Sequence, residues 1–83
     1  MKDSINVDFI KAYINANNLN IPNFAKKCGL SFSSLYKLLK KERNPRSETV
    51  EKIAKVMKIS SIFLYMTSED MYLYLTYDRK NNR

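Results

Sequence analysis

Histidine is missing from this 83-residue chain, cysteine and glycine occur once each, proline twice and tryptophan not at all. A single cysteine, Cys28, allows neither an internal disulfide framework nor a cysteine-based zinc site. Without histidine, the usual zinc-ligand sets and the histidine-dependent catalytic triads are excluded as well. No apolar run approaches the length of a bilayer span, and the opening MKDSINVDFI has acids and asparagines where a signal peptide has an apolar stretch. The expectation is a cytoplasmic, non-catalytic protein with no metal, no cofactor and no membrane partner. The length allows one small domain, too short for a large buried core and hard pressed to house an enzyme cleft.

What is present points to a folded binding module. Hydrophobic residues make up 45% of the chain and charged ones 28%, the balance of a globular rather than a disordered protein. Six Tyr and four Phe supply core volume in place of Trp. The formal charge is +7, and its placement says more than its size. Between Leu19 and Lys58 ten basic residues face three acids, while the flanks carry five of each sign and cancel. The whole excess therefore lies in one region, as expected of a surface that meets a phosphate backbone. A solvated basic face with no ligand is the plainer reading of charge taken alone.

Within that region, Asn20 to Lys40 reads as two short helices joined by a tight turn. Asn20 is placed to cap the first of them, with Pro22 in its opening turn where a missing N–H costs nothing. Phe24, Ala25 and Cys28 fall on its inward side, and Lys26, Lys27 and Asn23 point away. Gly29 stands where a backbone of positive φ would end that helix. Ser31 then caps a second helix, with Leu30 before the cap able to pack on Leu35 as a hydrophobic staple. Leu35, Leu38 and Leu39 share one face of it, which leaves Phe32, Ser33, Tyr36, Lys37 and Lys40 on the other. Phe32 and Tyr36 have two readings here, as exposed contacts or as core filler.

The flanking segments also read as helical. Val7 to Asn17 has apolar residues at Ile10, Tyr13, Ile14 and Ala16, with Asn6 or Ser4 as N-cap. Lys41 to Arg46 is a basic loop in which Pro45 forces Asn44 out of helical geometry. Ser47 is the expected cap of a further helix whose inward positions are Val50, Ile53, Ala54 and Met57. After Ile59, Ser60 or Ser61 starts a short helix carrying Ile62, Phe63 and Tyr65 or Met66. From Thr67 onward the pattern divides. Thr67 and Ser68 before Glu69 and Asp70 suggest a helix start in which Met71 and Leu75 share a face. Tyr72 to Tyr77 alternates in a way that suits a strand. Helix is the narrow preference, and Asp78 to Arg83 is expected to fray.

Taken together, Phe24-Ala25, Gly29, Ser31, Arg43-Asn44-Pro45 and Ile59-Ser60 give the chain from about Ile10 to Leu64 a clear resemblance to the Cro/repressor-type (XRE-like) helix-turn-helix domains. The resemblance implies an all-α, compact five-helix lambda-repressor-like domain over residues 1–66. Beyond it, 67–83 remain as a short C-terminal extension, helix or strand, rich in Tyr, Leu and Met, which either folds back over the surface of the first and fifth helices or serves as a dimerisation segment. The resemblance also implies sequence-specific binding of double-stranded DNA by a transcription regulator, with its recognition helix in the major groove. On that pattern Phe32, Ser33 and Lys37 contact bases. Asn20, Asn23, Tyr36, Lys40, Lys41, Arg43 and Asn44 contact phosphates.

Three departures from the family pattern carry their own expectations. Ile14 and Leu39 stand where members often pair an Arg with a Glu, so an apolar contact would replace a buried ion pair. Asn20-Ile21 replaces Thr-Gln, so the bracing glutamine is absent. Lys41 replaces the usual Gly, so the recognition helix is expected to run on slightly. A module this small needs a homodimer to grip an inverted repeat. A small phage or mobile-element repressor is the leading reading. Beside it stand an antitoxin that binds a protein partner through the extension, and an adaptor that no longer binds DNA.

Overall fold

The computed structural model describes residues 5–42 and 44–81. In chain order they form α1 (Val7–Ala16), α2 (Ile21–Cys28), α3 (Phe32–Leu39), α4 (Ser47–Met57), a 3-10 turn (Ser61–Tyr65) and α5 (Ser68–Asn81). The starts of the first three helices follow from local chemistry. Asn6, Asn20 and Ser31 each sit in extended backbone and accept, through the side chain, the N–H three residues on: Phe9, Asn23 and Ser34. Ser4, the alternative first cap, lies outside the described residues.

The helix ends share one device. Asn18, Gly29, Lys41 and Lys58 all take φ between 56° and 74°, and the residue after each donates back to a carbonyl five positions earlier. These bonds run from Leu19 to Ile14, Leu30 to Ala25, Glu42 to Lys37 and Ile59 to Ala54, at 2.9–3.1 Å. This is the left-handed stop that satisfies otherwise orphaned carbonyls. Leu19, Leu30 and Ile59 also pack against the core, so the stop is secured by burial as well as by hydrogen bonding. The expected extension of the recognition helix does not occur: α3 ends at Leu39, and Lys41 adopts at φ 62° the conformation the family's glycine would hold. An L-residue there costs about 1–2 kcal/mol, part of which glycine's extra unfolded-state freedom offsets. Lys58→Gly is therefore expected to stabilise the protein by about 0.5–1 kcal/mol, seen as a higher urea midpoint at unchanged slope.

One core lies between the helices. α1 contributes Val7, Ile10 and Ile14, α2 Phe24, Ala25 and Cys28, and α3 Leu35, Leu38 and Leu39. Val50, Ile53, Ala54 and Met57 come from α4, as the periodicity predicts. Ile14 and Leu39 are both buried in this cluster, on two helices that pack together. Tyr13 is half-buried: its ring lies 5.7 Å from that of Phe24, and its hydroxyl donates to the Val56 carbonyl at 3.4 Å.

Four local expectations are corrected. Ala16 is exposed, and Val7, not Ala16, completes the buried stripe of α1. The N-cap of α4 is Arg46, with no side-chain hydrogen bond, and Ser47 is already helical. The short helix is a 3-10 turn capped by Ser60, and its buried residue is Leu64, while Ile62 is exposed. The reason is register: the Asn6 N–H donates to the Leu64 carbonyl at 2.7 Å and draws that residue inward. Last, the extension is helical through Asn81, so the backbone of 78–81 does not fray at the level of secondary structure. Residues 82–83 lie outside the described range.

Candidate nucleic-acid interface

The turn at Gly29 sets α2 against α3, and α3 presents one side to the core and one to solvent. Leu35, Leu38 and Leu39 are buried; Phe32, Ser33, Tyr36, Lys37 and Lys40 are exposed. Phe32 keeps 49% of its surface open and Tyr36 41%, which excludes core filling for both. Their rings stack at 5.4 Å with 24° between planes. Lys40 continues the column, its Nζ 5.1 Å from the Tyr36 centroid and donating to the hydroxyl at 3.5 Å. Spacing of four residues brings all three onto one edge of the helix, and the stacking holds two otherwise loose side chains in place.

Ser31 and Ser34 bond to each other at the start of α3: the Ser31 hydroxyl accepts the Ser34 N–H at 3.1 Å and donates to the Ser34 hydroxyl at 2.9 Å. Ser33, beside them and exposed, takes no part in that cap. Together with Lys37, Asn44, Arg46 and Thr49 it lines a cleft of about 330 Å³ between α3 and the start of α4. This cleft joins two of the three predicted base-contacting residues, Ser33 and Lys37, to the loop that follows α3. It also introduces Arg46 and Thr49, which were not among the predicted site residues. Arg46 is legible in the sequence as part of the basic loop, but its place at the cleft depends on its taking the N-cap position of α4.

The remaining predicted contacts divide. Asn20 and Asn23 are exposed at the start of α2, yet the Asn20 side-chain Oδ1 already accepts the Asn23 N–H at 2.9 Å, which leaves its side-chain NH2 group for other partners. Lys41 and Asn44 are exposed. Arg43 lies outside the described residues. Among the described residues no group of three or more His, Cys, Asp or Glu side chains is placed to hold a metal ion. Nor is any described helix long and apolar enough to cross a membrane.

An exposed face that combines an apolar column, a hydroxyl and cations, on a helix held by a left-handed turn, has the chemistry to meet both phosphates and base edges. Residues 10–64, about two-thirds of the chain, match the helix-turn-helix family profile. Neither the curated proteins nor the solved structures compared gave a match to this chain.

Proposed function

The chain belongs to the Cro/C1-type helix-turn-helix family of DNA-binding transcription regulators, and on that premise we propose that it is a small repressor of phage or mobile-element type. It binds an inverted-repeat operator as a homodimer, in the cytoplasm and without enzymatic activity. Residues 1–66 form the DNA-binding domain, and 67–83 form the extension that joins two copies. The observation that supports this reading is the solvent face of α3, where Phe32, Ser33 and Lys37 stand clear of the core and Phe32 stacks on Tyr36.

In this reading α3 lies in the major groove. Phe32 meets thymine methyl groups, Ser33 exchanges hydrogen bonds with base edges, and Lys37 reaches guanine O6 or N7. Tyr36, Lys40, Lys41, Arg43, Asn44 and the Asn20/Asn23 end of α2 hold the backbone. Arg46 joins them, because it lines the same cleft as Lys37 and Asn44.

Selection from a random DNA pool tests the function, with enrichment of an inverted repeat whose half-sites lie about one helical turn apart as the expected result. Lys37→Ala should relax preference at one base pair, with a loss of about 1–3 kcal/mol there. Competition binding with single-base variants of the selected site reads that loss. If Lys37→Ala weakens every sequence equally, Lys37 is a phosphate contact and the base assignment is wrong. The adaptor reading is favoured by the apolar column of Phe32 and Tyr36, and absence of any enrichment at low salt would support it.

A further inference from the structure

The column of Phe32, Tyr36 and Lys40 is chemically unlike the rest of the outward face of α3. Ser33 and Lys37 beside it end in a hydroxyl and an ammonium, groups that read donors and acceptors. Phe32 has no polar side-chain atom, and the one polar atom of the Tyr36 side chain already accepts from Lys40 Nζ at 3.5 Å. The Phe32 ring can therefore read only shape and apolar contact. Nor is it free to swing: it stacks on Tyr36 at 5.4 Å with 24° between planes, and the Lys40 ammonium lies 5.1 Å from the Tyr36 centroid. With 49% of its surface still open, Phe32 offers a ring already held in place, which loses little rotamer freedom when a ligand covers it.

In the major groove a duplex offers such a ring one apolar group, the C5-methyl of thymine. Cytosine carries a hydrogen at that ring position, and 5-methylcytosine carries the methyl again. Thymine and 5-methylcytosine otherwise differ there by a carbonyl against an amino group at C4. Telling those apart takes a hydrogen-bonding partner, which a phenyl ring does not supply. We propose that Phe32, held by Tyr36 as a positioning residue, reads the C5-methyl group rather than the base that bears it. Exchange of thymine for uracil at that position weakens binding, and methylation of a cytosine standing there strengthens it. This rests on the reading of α3 as the recognition helix, and it adds the covalent modification of DNA to which the site responds.

The probes are synthetic duplexes of the selected site in which each thymine in turn is replaced by uracil, a change that removes one methyl group and leaves base pairing intact. At one thymine of a half-site the exchange should weaken binding about fourfold, the effect of one buried methyl group. With a C·G pair placed there instead, methylation of that cytosine at C5 should strengthen binding about fourfold. Phe32→Ala should bind the thymine and uracil duplexes alike, and the methylated and unmethylated cytosine duplexes alike. Lys37→Ala should weaken binding and keep both ratios. Tyr36→Ala should bring both ratios below about twofold by releasing the ring, while Tyr36→Phe, which keeps the stack without the hydroxyl, retains them. A Tyr36 that served only as a phosphate contact would lower affinity and leave the ratios unmoved. Each ratio compares two DNAs on one protein preparation, so partial unfolding of a variant cancels from it. If neither uracil exchange nor cytosine methylation changes affinity anywhere in an enriched site, or if the ratios survive Phe32→Ala, the methyl reading is overturned and DNA binding stands. Ratios that survive Tyr36→Ala overturn its positioning role. If no DNA is enriched at low salt, the DNA-binding reading fails and the methyl reading with it.

Discussion

Phe24→Ala is expected to remove about 3–5 kcal/mol of stability, the cost of deleting a large aromatic from a site that cannot collapse. The ring is fully buried where α2 meets the rest of the core, and Tyr13 packs 5.7 Å away. A domain of this length has roughly 4–12 kcal/mol in total, so the variant loses much of its margin and its melting temperature falls by well over 10 °C. Phe32→Ala removes the same atoms from a half-exposed position on the next helix. Its stability should stay within about 0.5 kcal/mol of the parent, while affinity for the selected DNA drops. Thermal and urea melts of the two variants, followed by DNA titration of whichever remains folded, separate packing from recognition. Equal destabilisation by both would contradict the contrast between the buried Phe24 and the solvent face of α3.

Raising salt from 50 to 200 mM should lower DNA affinity by about 10⁴-fold. Lys40, Lys41, Arg43 and Arg46 are the proposed cationic phosphate contacts, which makes about eight for a pair of chains. At about 0.9 ions released per contact, log K falls with log salt at a slope near −7. Arg43→Ala removes one contact from each copy and should flatten the slope by about 2 while weakening all sequences alike. The charge distribution motivates this, since the whole +7 lies between Leu19 and Lys58. A slope near zero in the parent would mean that phosphate contacts do not drive binding and would undercut the proposed function.

Features closed within a few residues were legible in the sequence. The caps at Asn6, Asn20 and Ser31 depend on a side chain reaching an N–H three positions on, and Gly29 depends on its own backbone freedom. The buried stripes of α2, α3 and α4 followed from helical spacing alone, because one face of each helix must leave water. The outward set on α3 is the remainder of the same count; that Phe32, Ser33 and Lys37 within it contact bases is what the family resemblance implies. Whether Phe32 and Tyr36 belonged to that set was open, since an aromatic residue is compatible with either side of a helix.

Tertiary contacts decided the rest. Lys41 and Lys58 carry no local signal for a left-handed backbone, and at Lys58 the conformation is held by the following Ile59, which packs on the core. Leu64 rather than Ile62 turns inward because a hydrogen bond from Asn6, far away in sequence, fixes the phase of the 3-10 turn. The alternating segment from Tyr72 to Tyr77 was balanced between strand and helix. It became helix because a strand must borrow its hydrogen bonds from a neighbour, and no strand exists among the described residues, whereas the Thr67 cap lets a helix satisfy its own. Sequence by itself thus determined the recognition unit, whose interactions are short-range. The tertiary structure decided how that unit is closed off and what α5 leaves exposed, because those outcomes depend on partners that no local pattern names.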